Sequence, residues 1–312
     1  MFKNLHELIA TMPDEKSCRD YLIKERWNGV ITCPYCQHNK CYVIEGGKRF
    51  RCASKSCYKN FSVTVGTMME ASNIPLNKWL TGIYIVNAHK KGISSYQLGK
   101  DLGIAQKSAW FMLHRIRQVM ANINDSKLSG IVEIDETYMS RKYASDYKGM
   151  SPEAIARMEQ SDEYKKKIKK GAAIGMKERN GNIIIKASLD AKAKSIEIAV
   201  KENVATNALL MTDESYKYRN VLSSYKRETV NHSKYEWVRG NVHTNGVENF
   251  WSVMKRGVYG IYHQISYKHL QNYCDEFSYR YNTRELKDHE RFTNVLQNIE
   301  RRLDYKTLTG KK

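Results

Sequence analysis

The chain has 312 residues, 41% of them hydrophobic and 27% charged, a globular composition with length for two or three domains that excludes a disordered chain. Lys and Arg outnumber Asp and Glu by 52 to 33, for a net charge of +19, which favours a polyanionic partner such as nucleic acid without separating DNA from RNA or an anionic membrane. The N-terminus has acidic residues and no apolar signal core, and the longest mostly apolar run, Trp79 to Ala88, is too short to span a bilayer, so a soluble, cytoplasmic protein with no membrane partner is expected.

Seven cysteines in a chain without an export signal point to metal or thiol chemistry rather than disulfides. Residues 13–27 read as a helix with Asp14 and Glu15 in its first turn and Lys24 and Arg26 in its last, with Cys18, Tyr21 and Leu22 on its inner face. Cys18 is expected to pack as a small hydrophobe. Next come Cys33-Pro-Tyr-Cys36 and Cys52-Ala-Ser-Lys-Ser-Cys57, separated by a glycine turn at Gly46 and Gly47. Two thiolate pairs between short strand-like pieces match a tetrahedral Zn²⁺ ribbon, and so small a core needs such a staple. A redox CxxC or unpaired core cysteines are the other readings.

Pro75 opens a further helix with Leu76, Trp79, Leu80, Ile83 and Tyr84 on one face. Residues 94–117 have the plan of a helix-turn-helix, with Leu98 inward, a turn at Gly103, and Ala109, Met112, Leu113 and Ile116 inward on the second helix. That places Gln106, Lys107, Ser108, His114, Arg115 and Arg117 outward, types that reach phosphates or base edges in a major groove. Any two short amphipathic helices joined at glycine give a similar pattern. A polar linker is expected over residues 122–130.

Two apolar runs then end in aspartate: Ile131, Val132 and Ile134 lead to Asp135, and Ala208, Leu209, Leu210 and Met211 lead to Asp213. Both read as buried strands, and a carboxylate there is costly to desolvate unless it faces a cation. Between them lie the lysine-rich residues 141–170, read as a solvated face, then a hairpin over residues 171–189 turning at Asn180 and Gly181, and a helix around residues 195–201. The tract after Asp213 interleaves Tyr216, Tyr218, Arg219, Tyr225, Lys226, Arg227, Lys234, Tyr235, Trp237 and Arg239. Such residues either stack on unpaired bases or cover a core, and Trp237 is expected to be structural. His243 either orients water or phosphate or serves as a neutral hydrogen-bonded group.

Val247, Phe250, Trp251, Met254 and Val258 fall on one helical face, with Glu248 at its edge and Lys255 two turns further on. Two strand aspartates and a helix glutamate can converge on one point. Hard oxygen ligands there suit Mg²⁺ or Mn²⁺ and an in-line phosphoryl transfer, with the lysine adding positive charge at the phosphate. In the tail, Leu270, Tyr273, Cys274, Phe277 and Tyr281 share one face and read as core.

Asp135, Asp213 and the HTNxxExxWxxxKRG pattern from His243 to Gly257 resemble the motifs of bacterial insertion-sequence transposases of the ISXO-like kind. Cys33 to Cys57, preceded by RWNG and followed by FSVTVGT, resembles the zinc ribbon that accompanies them. The resemblance implies an α/β ribonuclease-H-like catalytic domain over residues 125–312, with a lead-in at 1–28, a ribbon at 29–66 and a helix-turn-helix region at 67–124. It also implies Asp135 and Asp213 as holders of the catalytic metal, Lys255 as a phosphate contact, and a helix around Tyr279 to Asn282 closing over the site. The family's third acidic position can be asparagine, so Asn245 rivals Glu248. The family usually spaces its second cysteine pair CxxC, and the wider spacing here leaves Cys41 or His38 as reserve ligands to Cys57. The implied activity is binding of terminal inverted repeats, hydrolysis of the DNA ends, and joining of 3′-hydroxyls to target DNA by a homo-oligomer. A zinc-ribbon regulator or inactive copy, and a structure-directed nuclease that does not join ends, are the rival readings.

Overall fold

The computed structural model describes residues 2–121, 126–139, 150–154, 157, 171–218, 223–300 and 302–310. It begins with α1 (Leu5–Thr11), α2 (Glu15–Trp27), the short strands β1 (Cys41–Ile44), β2 (Arg49–Cys52) and β3 (Asn60–Phe61), and the helices α3 (Leu76–Ala88), α4 (Ser95–Leu102) and α5 (Gln106–Met120). Then come β4 (Ile131–Tyr138), β5 (Ala172–Glu178), β6 (Ile183–Ser188), α6 (Ala193–Asn203), β7 (Leu209–Asp213) and β8 (Lys226–Val230). The chain closes with α7 (Asn245–Gly257), α8 (Tyr267–Asn282), α9 (Asp288–Gln297) and α10 (Tyr305–Thr309). Among the described residues no helix is long and apolar enough to cross a membrane.

The chain forms two compact units, residues 1–123 with 283–312, and residues 124–282. The last thirty residues therefore cluster with the first unit rather than with the catalytic domain, where the sequence reading put them. Phe292 of α9 is the reason: it is buried, with its ring 5.2 Å from Phe2 and 6.1 Å from Tyr84.

In the first unit, α2 starts two residues later than the sequence suggests, because Asp14 is its cap: Ser17 N donates to Asp14 Oδ1 at 2.8 Å. Trp27 at its end packs edge-on against Phe50 and Phe61, the small core beneath the antiparallel sheet β1-β2-β3. The α4–α5 turn is made at Gly103, φ +59°, a left-handed position suited to glycine.

The second unit is built on a mixed sheet of order β6-β5-β4-β7-β8, in which β4 pairs antiparallel with β5 and parallel with β7. This is the α/β, ribonuclease-H-like arrangement expected. Period-two alternation along β4 sorts its side chains. Val132 and Ile134 enter a core with Ile174, Met176, Leu210 and the α6 residues Ile196 and Val200. The opposite face carries Glu133, Asp135 and Thr137 of β4 and meets α7 and α8 through Ala173, Ile183, Ile185, Val247, Phe250, Trp251, Leu270 and Phe277. The central strand thus presents Val132 and Ile134, with Glu136 beyond them, on one side and Glu133, Asp135 and Thr137 on the side where α7 lies.

The outer edge of β6 is closed by side chains of α8. Asn282 accepts from Ile183 N at 2.8 Å and donates to Ile183 O at 2.9 Å, and Gln271 accepts from Ala187 N at 2.8 Å and donates to Ile185 O at 3.1 Å. Two amides on one helix face satisfy backbone groups that an edge strand would otherwise present to another chain.

Candidate active site and zinc centre

Asp135 lies in the middle of the sheet, opposite Gly175 of β5. A Cβ at Gly175 would stand 2.5 Å from Trp251 Cζ2, so only glycine lets the indole lie against the strand. From there Trp251 Nε1 donates to Asp135 Oδ2 at 3.0 Å. Burial pushes the Asp135 carboxyl up to about 6; a backbone hydrogen bond at Glu136 opposes this, and the charges of Glu136, Asp213 and Glu248 add to it.

Asp213 ends β7. The last β4–β7 pair is Glu133 with Met211, so two residues further along each parallel strand Asp135 and Asp213 stand at matching height. Burial raises the Asp213 carboxyl too, a hydrogen bond from Ser215 N at 3.0 Å opposes it, and the Glu136 and Glu214 charges add to the rise. Glu248, in the first turn of α7, is half-buried and accepts from Thr244 Oγ1 at 2.6 Å. Asn245 is exposed at the start of that helix, and Lys255 is half-buried in its last turn.

Sequence reasoning missed Glu133 and Glu136. Glu133 is 1% exposed and accepts from Arg179 Nε at 3.3 Å, Arg179 Nη2 at 3.2 Å and Val247 N at 3.0 Å. It grips the N-terminus of α7, the helix that carries Glu248. His243 belongs to this network, with Nδ1 3.3 Å from Arg179 Nη2 and 3.5 Å from Glu133 Oε1, so it is a hydrogen-bonded structural neighbour. A Cβ on Gly246 would meet Glu133 Oε2 at 2.6 Å. Glu136, on the other face of β4, accepts from Lys217 Nζ and Tyr218 Oη. The signal for both was the EIDE run of β4, where alternation puts Glu133 on the face of Asp135 and Glu136 behind it.

In the ribbon, Cys33, Cys36, Cys52 and Cys57 bring their sulfurs within 4.8 Å of one another, with Cys33 to Cys57 at 3.8 Å and Cys36 to Cys52 at 3.5 Å. A tetrahedron of Zn–S bonds of about 2.3 Å sets its sulfurs about 3.8 Å apart, so the donor set fits a structural Zn²⁺. Both knuckles end in a left-handed residue directly after the second cysteine, Gln37 at φ 59° and Tyr58 at φ 47°. The first turn starts at Cys33 and the second at Ser54, two residues after Cys52, which accounts for the wider spacing, and the reserve candidates Cys41 and His38 stand outside the cluster. Among the described residues, three or more ligand atoms close to metal-binding distance at these cysteines and not at the carboxylates.

On α5, Gln106 and Lys107 are exposed and Ser108 is half-buried; Gln106 Nε2 donates to Ser95 Oγ at 2.8 Å. His114, Arg115 and Arg117 are buried, at 0%, 3% and 1% exposure, contrary to the outward placement expected. Arg115 shows why: it donates to Met68 O at 2.8 Å, Glu70 O at 2.9 Å and Leu303 O at 3.1 Å. A guanidinium so used is a structural staple. In the tract after Asp213, Tyr218 and Tyr225 are core residues, while Trp237 is 55% exposed rather than structural. Arg219, the Tyr216 side chain and the lysine run at 165–170 lie outside the described residues.

Residues 127–282 match the family profile described as ISXO2-like transposase domain, and residues 13–60 match that of a transposase zinc-ribbon domain. A relative described as an uncharacterized protein in transposable element ISH50, from Halobacterium salinarum, is 26% identical over 262 residues, covering 80% of this chain and 84% of its own. No solved structure matches the chain. With half of its length in the first profile and the ribbon in the second, the chain belongs to the ISXO2-like transposase family.

Proposed function

We propose that the chain is the transposase of an insertion sequence that binds terminal inverted repeats, cleaves the DNA ends, and joins the resulting 3′-hydroxyls to target DNA. The observation that carries this is Asp135: a carboxylate held up to about 6 by burial and by three further acids, on the central strand of the family-matched domain. A site of that kind calls for a divalent cation. Asp135, Asp213 and Glu248 would hold Mg²⁺ or Mn²⁺, which when bound supplies Lewis-acid activation of the attacking oxygen and stabilisation of the leaving one. Glu248 is favoured over Asn245 as the third group, because its charge bears on Asp135 while Asn245 is exposed.

The remaining roles fall to the chain's own side chains. Trp251 fixes the orientation of the Asp135 carboxylate, and Thr244 does the same for Glu248. Lys255 contributes positive charge to a neighbouring phosphate. Gln106, Lys107 and Ser108 meet the DNA from the start of α5, in a binding region made of the ribbon (29–66) and helical segment (67–124), and two copies acting on paired ends assemble on the DNA. A labelled duplex carrying the element's terminal repeat, incubated with Mg²⁺ or Mn²⁺ and wild type or Asp135→Asn, tests the reading. Cleavage and joining by wild type that vanish in Asp135→Asn while binding persists are expected. Binding with no cleavage by either protein would sink it in favour of a regulator, and cleavage without joining would favour a nuclease.

A further inference from the structure

The segment between β8 and α7 presents apolar side chains to solvent next to the candidate active site. Among the described residues Tyr235 is the most exposed large hydrophobic, at 86%, and Trp237 and Val238 follow in the same turn at 55% and 51%. Tyr235 is also left-handed, φ 59° and ψ 21°, a conformation that residues other than Gly, Asn and Asp avoid. An unfavourable backbone and an exposed aromatic ring at one residue persist only where surrounding structure enforces them.

That enforcement is visible. Asn231 O accepts from Lys234 N and Glu236 N, both at 3.0 Å, and Asn231 Oδ1 accepts from Lys234 N at 3.1 Å. Tyr235 N donates to His232 O at 3.0 Å, and Glu236 Oε2 accepts from Asn231 N at 3.1 Å. The His232 ring lies against Trp237, with centroids 4.5 Å apart. The turn is then tied to the catalytic strand by the residue after Asp213: Glu214 accepts from His232 N at 2.9 Å, Ser233 N at 3.0 Å and Ser233 Oγ at 2.6 Å. At its other end the chain passes through the Arg239–Val242 bridge into Thr244 and Glu248.

The surface is aromatic and held by hydrogen bonds, with Lys234 next to Tyr235 in the chain and Arg239 paired to Glu236 at 3.6 Å. A base offers its flat face to a side chain only when unpaired, and aromatic side chains stack on any such base regardless of sequence. We propose that Tyr235 and Trp237 form a stacking site for an unpaired nucleobase of the DNA strand end beside the catalytic acids. The placement beside the scissile phosphate rests on the transposase reading; the base-stacking site itself does not.

The test compares binding of the full chain to a thymidine oligonucleotide of about twelve nucleotides, within the usual length of such sites, and to an abasic oligomer with the same phosphates, without added Mg²⁺. Wild type and Asp135→Asn are both expected to favour the base-bearing strand about tenfold, or 1.4 kcal/mol. The Tyr235→Ala, Trp237→Ala double variant should lose that preference with unchanged affinity for the abasic strand, and Tyr235→Phe, Trp237→Phe should keep it. Equal discrimination in the alanine variant, or none in wild type, overturns the proposal. So does an alanine variant that keeps its base preference but sediments as a smaller species, which would make the patch a contact between copies. Because no cleavage is read, failure of duplex cleavage leaves this result standing, and failure here leaves the catalytic reading standing.

Discussion

The four thiols of the ribbon converge, whereas the carboxylates of the acidic site stand off from one another. Thiols are neutral without a metal, so two short knuckles can press four sulfurs together at little electrostatic cost. Carboxylates are charged at neutral pH, and in a partly buried site their repulsion is only weakly screened. The acids are mounted on separate elements, β4, β7 and α7, and Asp135 is raised first by its own burial and then by the charges of Glu136, Asp213 and Glu248. The thiol cluster is local in sequence, while the acids are brought together only by the fold.

The contrast can be broken most forcefully at the ribbon. Structural zinc binding is folding free energy on the order of 10 kcal/mol, so Cys57→Ser should lose bound zinc and unfold the ribbon, while Cys41→Ser keeps full zinc. Metal content of the purified variants reads this directly, and equal loss from both would mean that the ligand set is wrong.

At the acidic site removing a carboxylate should do the opposite. Asp135 titrates at about 6 in the fold against an ordinary 3.8, so between those values the native chain holds a proton that the unfolded chain has released. Stability of the metal-free protein thus falls as pH rises through that window, and the cost is fully present at pH 8. Asp135→Asn removes it and should stabilise the metal-free protein by about 1–3 kcal/mol at pH 8 while abolishing cleavage. Melting curves from pH 4 to 8 should show the advantage of the variant growing with pH and shrinking again on addition of Mg²⁺. A variant that melts below wild type at pH 8 would contradict this account.

The Glu133 clamp offers a finer test. Gly246→Ala drives a methyl group to 2.6 Å from Glu133 Oε2 and should cost about 1–3 kcal/mol. It should also raise the Mg²⁺ concentration needed for cleavage, because it displaces the helix that carries Glu248. An unchanged Mg²⁺ requirement in a stably folded variant would show that the clamp does not position that residue. The smallest effect is expected at the sheet edge, where Asn282→Ala removes two hydrogen bonds to Ile183 at about 1–2 kcal/mol. Faster amide exchange confined to β6 would report it.

Much of this was legible in the residues. The apolar runs leading to Asp135 and Asp213, the face of α7 and the paired cysteines are local patterns, although β4 runs on past Asp135 to Tyr138, so that Asp135 lies within its strand rather than at its end. What escaped was non-local. The carbonyls that bind Arg115 come from Met68, Glu70 and Leu303, so no helical periodicity could say that this arginine, with His114 and Arg117, would be buried. Trp237 was misjudged for the converse reason: an aromatic residue is ordinarily a core residue, and hydrogen bonds to Glu214 and Asn231 help hold its turn outward. Cys57 sat at an unfamiliar spacing, because its turn closes on Ser54 O rather than on Cys52 O, a backbone fact without a sequence signature.

The amide seal on β6 sets a length rule for the helix that provides it. Gln271 and Asn282 lie eleven residues apart, three helical turns on one face, and engage strand positions 187 and 183 in reverse order. Inserting or deleting a single residue between them would rotate one amide about 100° away from its strand. Surface helices ordinarily absorb changes of length by sliding along their neighbours, but α8 is gauged against the sheet it covers. Its span should therefore vary less among natural variants of this chain than its composition does.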